Sequence, residues 1–247
     1  MHRLLTHLTL AALCLLHAPA HAAEVLVAVA SNMAEPAKEL ARQFSAQSGH
    51  RITFSSAATG KLYAQISQGA PFAVLLAADT ATPTRLGQEG LALADTQFTY
   101  ATGRLVLWSV AGNTPNEKTL SAGQFAHLAI ANPAVAPYGQ AAMAVLQRLG
   151  LAAQVRPKLV YGENISQTQQ FVATGHAEYG LLAASLVWRD GRWLSGHGWW
   201  VPSDWHAPLQ QDAVLLRAGA NQAAAREWLA FLRSPAARAT LQRYGYQ

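Results

Sequence analysis

Cysteine is almost absent from this chain, and its single occurrence decides how the absence is read. Cys14 is the one thiol in 247 residues, and it stands inside an N-terminal segment that reads as removable. Met1-His2-Arg3 carries a positive charge, Leu8 to Leu16 is apolar, and Ala20-His21-Ala22 supplies the small-x-small pattern of a secretory cleavage site. Residues 1–22 are therefore read as a signal peptide. No small apolar pair precedes Cys14 as lipid attachment would need. Without that segment the chain holds no disulfide and no cysteine metal site. Long apolar runs are missing too: the leader's run is too short for a membrane span, and nothing later approaches one. An exported, soluble protein of a bacterial periplasm is expected, with another secretory route left open by composition alone.

Charge is also sparse. Asp, Glu, Lys and Arg make up 13% of the chain, and the formal net charge of +5 falls by one once Arg3 leaves. The basic residues are scattered, without the blocks of a nucleic-acid surface, so no nucleic-acid partner is expected. Signatures of catalysis are absent as well. There is no Gly-x-Ser-x-Gly elbow, His-Glu-x-x-His helix, phosphate loop or dinucleotide fingerprint. Beyond the leader remain His50, His127, His176, His197 and His206, none paired at metal-ligand spacing. A secreted hydrolase would have to combine Ser31 with one of these.

What is present is alternation. Val25 to Ala30, Arg51 to Phe54 and Ala73 to Ala77 read as strands. Between them lie helical patterns, one opening at Pro36 with Ala37, Leu40, Ala41 and Phe44, the next carrying Leu62 and Ile66. This order predicts an α/β fold, a sheet with parallel strands covered on both faces. Leu105 to Ser109, Leu128 to Ala131, Leu159-Val160 and Tyr179 to Ala183 continue it, with a helix opening at Gly139 and another around Gln167 to Ala173. Asp190-Gly191 is a hairpin turn signal. Asp212 to Leu216 reads as a returning strand that Asp212 anchors through backbone N–H groups, before two C-terminal helices. Trp188, Trp193, Trp199, Trp200 and Trp205 read as indoles packed at an edge or hinge, with a permease-docking or sugar-stacking surface as the other readings.

Two short stretches carry the functional signal. Ala30-Ser31-Asn32 and Ala58-Thr59-Gly60 each lead from an extended run straight into a helical segment. A hydroxyl there can cap the helix, and the free N–H groups behind it, with the helix dipole, favour an anion. Ser31 alone reads as a plain helix cap, and Lys61 as a solvated lysine within a helix turn. Two further starts, Ala136-Pro137-Tyr138-Gly139 and Glu163-Asn164-Ile165-Ser166, turn isolated caps into a shared site. Such sites lie beyond the carboxyl ends of strands. The pattern predicts a receptor closing two lobes around a small oxyanion.

These segments resemble the molybdate-binding periplasmic proteins of ABC importers over essentially the whole chain after the leader. The resemblance is carried by Val27-Ala28-Val29-Ala30-Ser31-Asn32, by Thr59-Gly60-Lys61-Leu62-Tyr63-Ala64-Gln65-Ile66, and by Gly69-Ala70-Pro71-Phe72-Ala73-Val74 with Ala77-Ala78-Asp79. Further on it rests on Asn132-Pro133, Ala136-Pro137-Tyr138-Gly139, Tyr161-Gly162-Glu163-Asn164-Ile165, Gln211-Asp212-Ala213-Val214-Leu215 and the tail Tyr244-Gly245-Tyr246. It implies a two-lobed periplasmic binding protein fold, type II-like, each lobe a mixed sheet flanked by helices, with two hinge crossings. The lobes would be 23–104 with 208–247, and 105–207.

The resemblance also implies a site. Ser31 would offer its hydroxyl, Asn32 its backbone N–H, Thr59 both hydroxyl and N–H, and Tyr138 and Ile165 backbone N–H groups. Molybdate or tungstate would be bound as the oxyanion through these residues, with no direct metal ligand, no cofactor and no catalysis. The partner would be an ABC transporter permease in the inner membrane, served by a monomer. Ala183 stands where one branch of the family has a Tyr hydroxyl, Thr59 where many relatives have Ser, and Ile165 where Val is common. A receptor for sulfate or phosphate is the alternative.

Overall fold

In the computed structural model, residues 22–112 and 114–247 are described. The signal-peptide reading and Cys14 lie outside them.

The first half contains β1 (Glu24–Ala30), α1 (Ala34–Ser48), β2 (Arg51–Ala57), α2 (Thr59–Ser67), β3 (Val74–Leu76), α3 (Ala81–Gln88) and β4 (Phe98–Gly103). After Arg104 come β5 (Leu105–Ser109), α4 (Glu117–Ala122), β6 (Leu128–Ala131), α5 (Pro137–Arg148), α6 (Ala152–Val155) and β7 (Leu159–Gly162). Then follow α7 (Ile165–Ala173), β8 (Tyr179–Ala183), α8 (Ala184–Val187), β9 (Trp188–Arg189), β10 (Arg192–Trp193) and β11 (His197–Trp200). The chain ends with β12 (Leu209–Leu215), α9 (Ala223–Leu232) and α10 (Pro235–Arg243).

Two five-stranded mixed sheets result, ordered β2-β1-β3-β12-β4 and β11-β5-β8-β6-β7. In the first, β1 runs parallel to β2 and β3, while β12 returns antiparallel between β3 and β4. In the second, β6 is parallel to β7 and β8, and β5 lies antiparallel to β8 and β11. The first sheet's apolar side chains feed two cores. α1, α9 and α10 cover one face, with Leu40, Phe44, Trp228 and Leu241 buried there. Leu62, Ile66 and Leu86 of α2 and α3 fill the other. The spacing of Ala37, Leu40, Ala41 and Phe44 puts α1's apolar stripe inward, as the sequence indicated, and Gly49 stops the helix in a left-handed conformation at φ 74°.

Several local readings need correction. α5 opens at Pro137, two residues before the expected Gly139, because a proline at the first helical position gives up an N–H that has no partner there anyway. Phe98–Gly103 and His197–Trp200 are strands that the sequence pattern did not separate from their surroundings. β11 is an edge strand, which puts two of the tryptophans at the margin of the second sheet. Indoles of Trp188, Trp193 and Trp200 pack with ring centroids 4.9–5.4 Å apart. Asp190-Gly191 forms the expected tight turn, with φ of 51° and 81°. Asp212 does not use backbone N–H groups. Its carboxylate accepts from Gln97 Nε2 at 2.7 Å and Thr99 Oγ1 at 2.6 Å, beside a register shift at Gln211/Asp212 that turns the side chain toward β4.

Candidate functional site

Four helix starts converge where the carboxyl ends of the two sheets' strands face each other. β1 passes through one 3-10 turn, Ser31–Met33, into α1; α2 follows β2, α5 follows β6, and α7 follows β7. Ser31, Asn32, Thr59, Tyr138 and Ile165 all line one small cavity there, with Pro137 and the small residues Ala30, Ala58, Ala78 and Ala136. The free space in it is small, on the scale of a single water. The lobes touch around it: Gly60 N–H donates to Val135 O at 2.9 Å, and the alanines of both sides share one apolar cluster.

The hydroxyls do not cap their helices. Ala30 and Ala58 occupy the N-cap positions without a side-chain bond, and Ser31 and Thr59 are the first residues inside. The plain-cap reading of Ser31 is therefore wrong, and the reason is register: the extended backbone ends one residue earlier. A helix start without a side-chain cap leaves its first amides for something else.

Those amides can be counted. In α2, Lys61 and Leu62 N–H donate to Ala58 O and Gly60 N–H crosses to Val135 O, which leaves Thr59 N–H. In α5, Pro137 has no N–H, and Gly139 and Gln140 donate to Ala136 O, which leaves Tyr138 N–H. In α7, Asn164 Oδ1 takes Ser166 and Gln167 N–H, both at 3.0 Å, and its carbonyl takes Thr168 N–H. Ile165 N–H is left. Each of these three starts thus keeps one backbone donor without a partner among the described residues.

Thr59 adds a second donor by a route the sequence did not disclose. Its Oγ1 accepts the Ala78 N–H at 3.1 Å, so the hydroxyl proton is free to point elsewhere. Asn32 is oriented oppositely. Its side-chain amide donates to Gln211 Oε1 at 2.7 Å and Tyr246 OH at 2.8 Å, away from the cavity. The Ser31 hydroxyl has no partner among the described residues. Ala183 is buried at the end of β8 and is not among the lining residues.

Among the described residues no charged side chain and no histidine lines the cavity. Lys61 is exposed, as expected. The nearby Asp79 carboxyl is raised above its ordinary value by burial and by the Asp212 charge, against the bond it accepts from Thr82 N–H. Burial pushes the Tyr138 phenol well up, so it stays neutral, and its hydroxyl lies without a partner far down the ring, against Gly103. Gly139 is required where α5 meets β6, since a Cβ there would collide with the Ala131 carbonyl oxygen.

Residues 25–247 match the family model described as bacterial extracellular solute-binding protein. The chain is 47% identical to the molybdate-binding protein ModA of Azotobacter vinelandii over 94% of this chain and 93% of that one. It is 45% identical to the molybdate-binding protein ModA of Rhodobacter capsulatus, over 92% and 90%. Its fold is similar to the solved structure of an Azotobacter vinelandii periplasmic molybdate-binding protein, with a TM-score of 0.87 at 35% identity, covering 90% of this chain and 98% of that one.

Proposed function

This chain belongs to the bacterial extracellular solute-binding proteins, alongside the molybdate-binding members, and we propose that it captures molybdate or tungstate in this cavity and delivers it to an ABC permease. One observation carries the reading: four helix starts from the two sheets meet at a single small cavity whose described lining holds no charged side chain, and three of them keep a backbone N–H without a partner among the described residues. Ser31 Oγ, Asn32 N–H and both donors of Thr59 act from the first lobe, and Tyr138 and Ile165 N–H from the second. The lobes are 23–104 with 208–247, and 105–207.

Neutral donors suffice for a dianion. A hydrogen bond to a charged group contributes about 1.5–3 kcal/mol net. A helix N-terminus adds roughly 0.3–1 kcal/mol, and up to about 2 when partly buried. Six such donors offset the dehydration of the ion. Selection follows from what the donors cannot do. Four of the six donors are backbone N–H groups, which cannot accept, and the Thr59 oxygen already accepts from Ala78, so a protonated oxyanion such as hydrogen phosphate meets few acceptors for its proton. A site closed to the size of molybdate or tungstate would then grip the smaller sulfate less well. A hydrolase using Ser31 needs a histidine base, and among the described residues no histidine lines the cavity. In this reading the protein is a monomeric receptor without catalysis or cofactor, exported to the periplasm with residues 1–22 removed.

Calorimetry with molybdate, tungstate, sulfate and phosphate at equal concentrations tests this. Tight binding of the first two and weak binding of the others is expected. Sulfate bound as tightly as molybdate overturns the assignment, and no heat with any of the four overturns the oxyanion site.

A further inference from the structure

The Tyr244-Gly245-Tyr246 tail has no part in the cavity, yet its last tyrosine reaches the residue at the cavity's floor. Tyr246 OH is buried and accepts from Asn32 Nδ2 at 2.8 Å. It stands 3.1 Å from the Asn32 carbonyl and 3.3 Å from Ser185 Oγ, with its proton available to either. Ser185, on α8 of the second lobe, donates to the same Asn32 carbonyl at 2.7 Å. Ser166, on α7 of that lobe, donates to the Ser31 carbonyl at 3.1 Å. That carbonyl belongs to the peptide unit whose other end is the Asn32 N–H. A hydrogen bond accepted by a peptide carbonyl polarises the unit and strengthens its N–H as a donor.

The two serine bonds cross from one lobe to the other, so both are broken when the lobes part. The tail itself is tied to the hinge: Gln247 and Thr102 exchange backbone bonds of 2.7 and 2.9 Å beside the crossing at Arg104. Burial pushes the Tyr246 hydroxyl up to about 12, so it keeps its proton at neutral pH. We infer that Ser166 and Ser185 are positioning residues that clamp the Ser31–Asn32 backbone only when the lobes are shut, against a backbone that Tyr246 holds from within the same lobe, and so set how long the oxyanion is held. This rests on the oxyanion reading above. It also accounts for α8, because Ala183 offers no side-chain donor, and two residues later Ser185 holds the backbone that does the binding.

The test is stopped-flow tryptophan fluorescence with molybdate on Ser185→Ala, Ser166→Ala, Tyr246→Phe and the Ser185→Ala/Tyr246→Phe pair, beside ligand-free melting curves. Each serine-to-alanine change is expected to speed dissociation on the order of ten-fold, and Tyr246→Phe, whose Asn32 bonds persist when the lobes part, to speed it less. Association should stay within about two-fold, because an open cleft has no cross-lobe bonds to lose. Ser166→Thr, which keeps a hydroxyl, should restore slow release. Unchanged dissociation in all the variants overturns the clamp. So does a fall in ligand-free melting temperature with affinity intact, since that marks a purely structural role. If the unaltered protein binds no molybdate, the oxyanion reading falls and the clamp with it; if it binds and the variants release at its rate, the clamp alone falls.

Discussion

The two lobes repeat one plan, parallel strands whose ends feed helix starts into the cavity, but they reach it with different chemistry. The first lobe brings hydroxyls as well as amides, through Ser31 and Thr59. The second brings amides alone, through Tyr138 and Ile165, whose side chains serve other ends: Ile165 is buried in the apolar core and the Tyr138 ring runs down to the hinge. A side-chain donor can be removed by one substitution. A backbone donor can be removed only by moving the helix that carries it. The lobes should therefore respond to mutation in opposite ways.

The largest effect is expected where the second lobe's backbone itself is displaced. Gly139→Ala drives a methyl into the Ala131 carbonyl and lifts α5 from β6, at a cost of about 1–3 kcal/mol or more. Calorimetry should then show no molybdate binding, and melting curves a destabilised protein. Normal affinity would mean that Tyr138 N–H is not a ligand.

Next come the first-lobe hydroxyls. Thr59→Val should lose about 1.5–3 kcal/mol of binding, ten- to a hundred-fold in affinity. It should also lower the ligand-free melting temperature, because it orphans the Ala78 N–H. Ser31→Ala should weaken binding by a similar amount and leave that temperature alone, since its hydroxyl bonds nothing else among the described residues. Thr59→Ser should restore both properties. A silent Thr59→Val would erase the contrast between the lobes.

Against these, Ile165→Val and Tyr138→Phe should change titrated affinity by no more than about two-fold, although both residues line the cavity. Tyr138→Phe deletes an unpartnered buried hydroxyl, so its melting temperature should hold or rise. Lys61→Ala should matter less still and only at low salt, as a screened field effect. A crippling loss there would place the anion at a charged site elsewhere.

The smallest effect concerns Asp79 and pH. Its carboxyl is raised in the folded state, chiefly by burial, so folding disfavours the charged form. That cost is fully present above the folded value and disappears as pH falls below the ordinary carboxylate range. Asp79→Asn should thus raise the melting temperature slightly at neutral pH and lose the advantage toward about pH 3. An advantage that grows on acidification would contradict the burial argument.

Much of this protein follows from sequence without coordinates. Alternating strands and helices and the Asp190-Gly191 turn are local, because backbone conformation and apolar spacing depend on neighbours a few residues away. The helix starts around Ser31, Thr59, Tyr138 and Ile165 were legible as candidates for an anion site, and the family resemblance assigned the donors among them, Asn32 included. Tertiary structure alone decided what those groups face. Ala78 frees the Thr59 proton from 19 residues away, Gln211 turns the Asn32 side chain from 179 away, and Ser166 meets Ser31 across 135. Hydrogen bonds over such separations leave no period in a sequence. Strands β4 and β11 stayed hidden for a related reason: each is defined by a partner on its sheet, β12 and β5, and an extended run reads as a strand only when a neighbour supplies its hydrogen bonds.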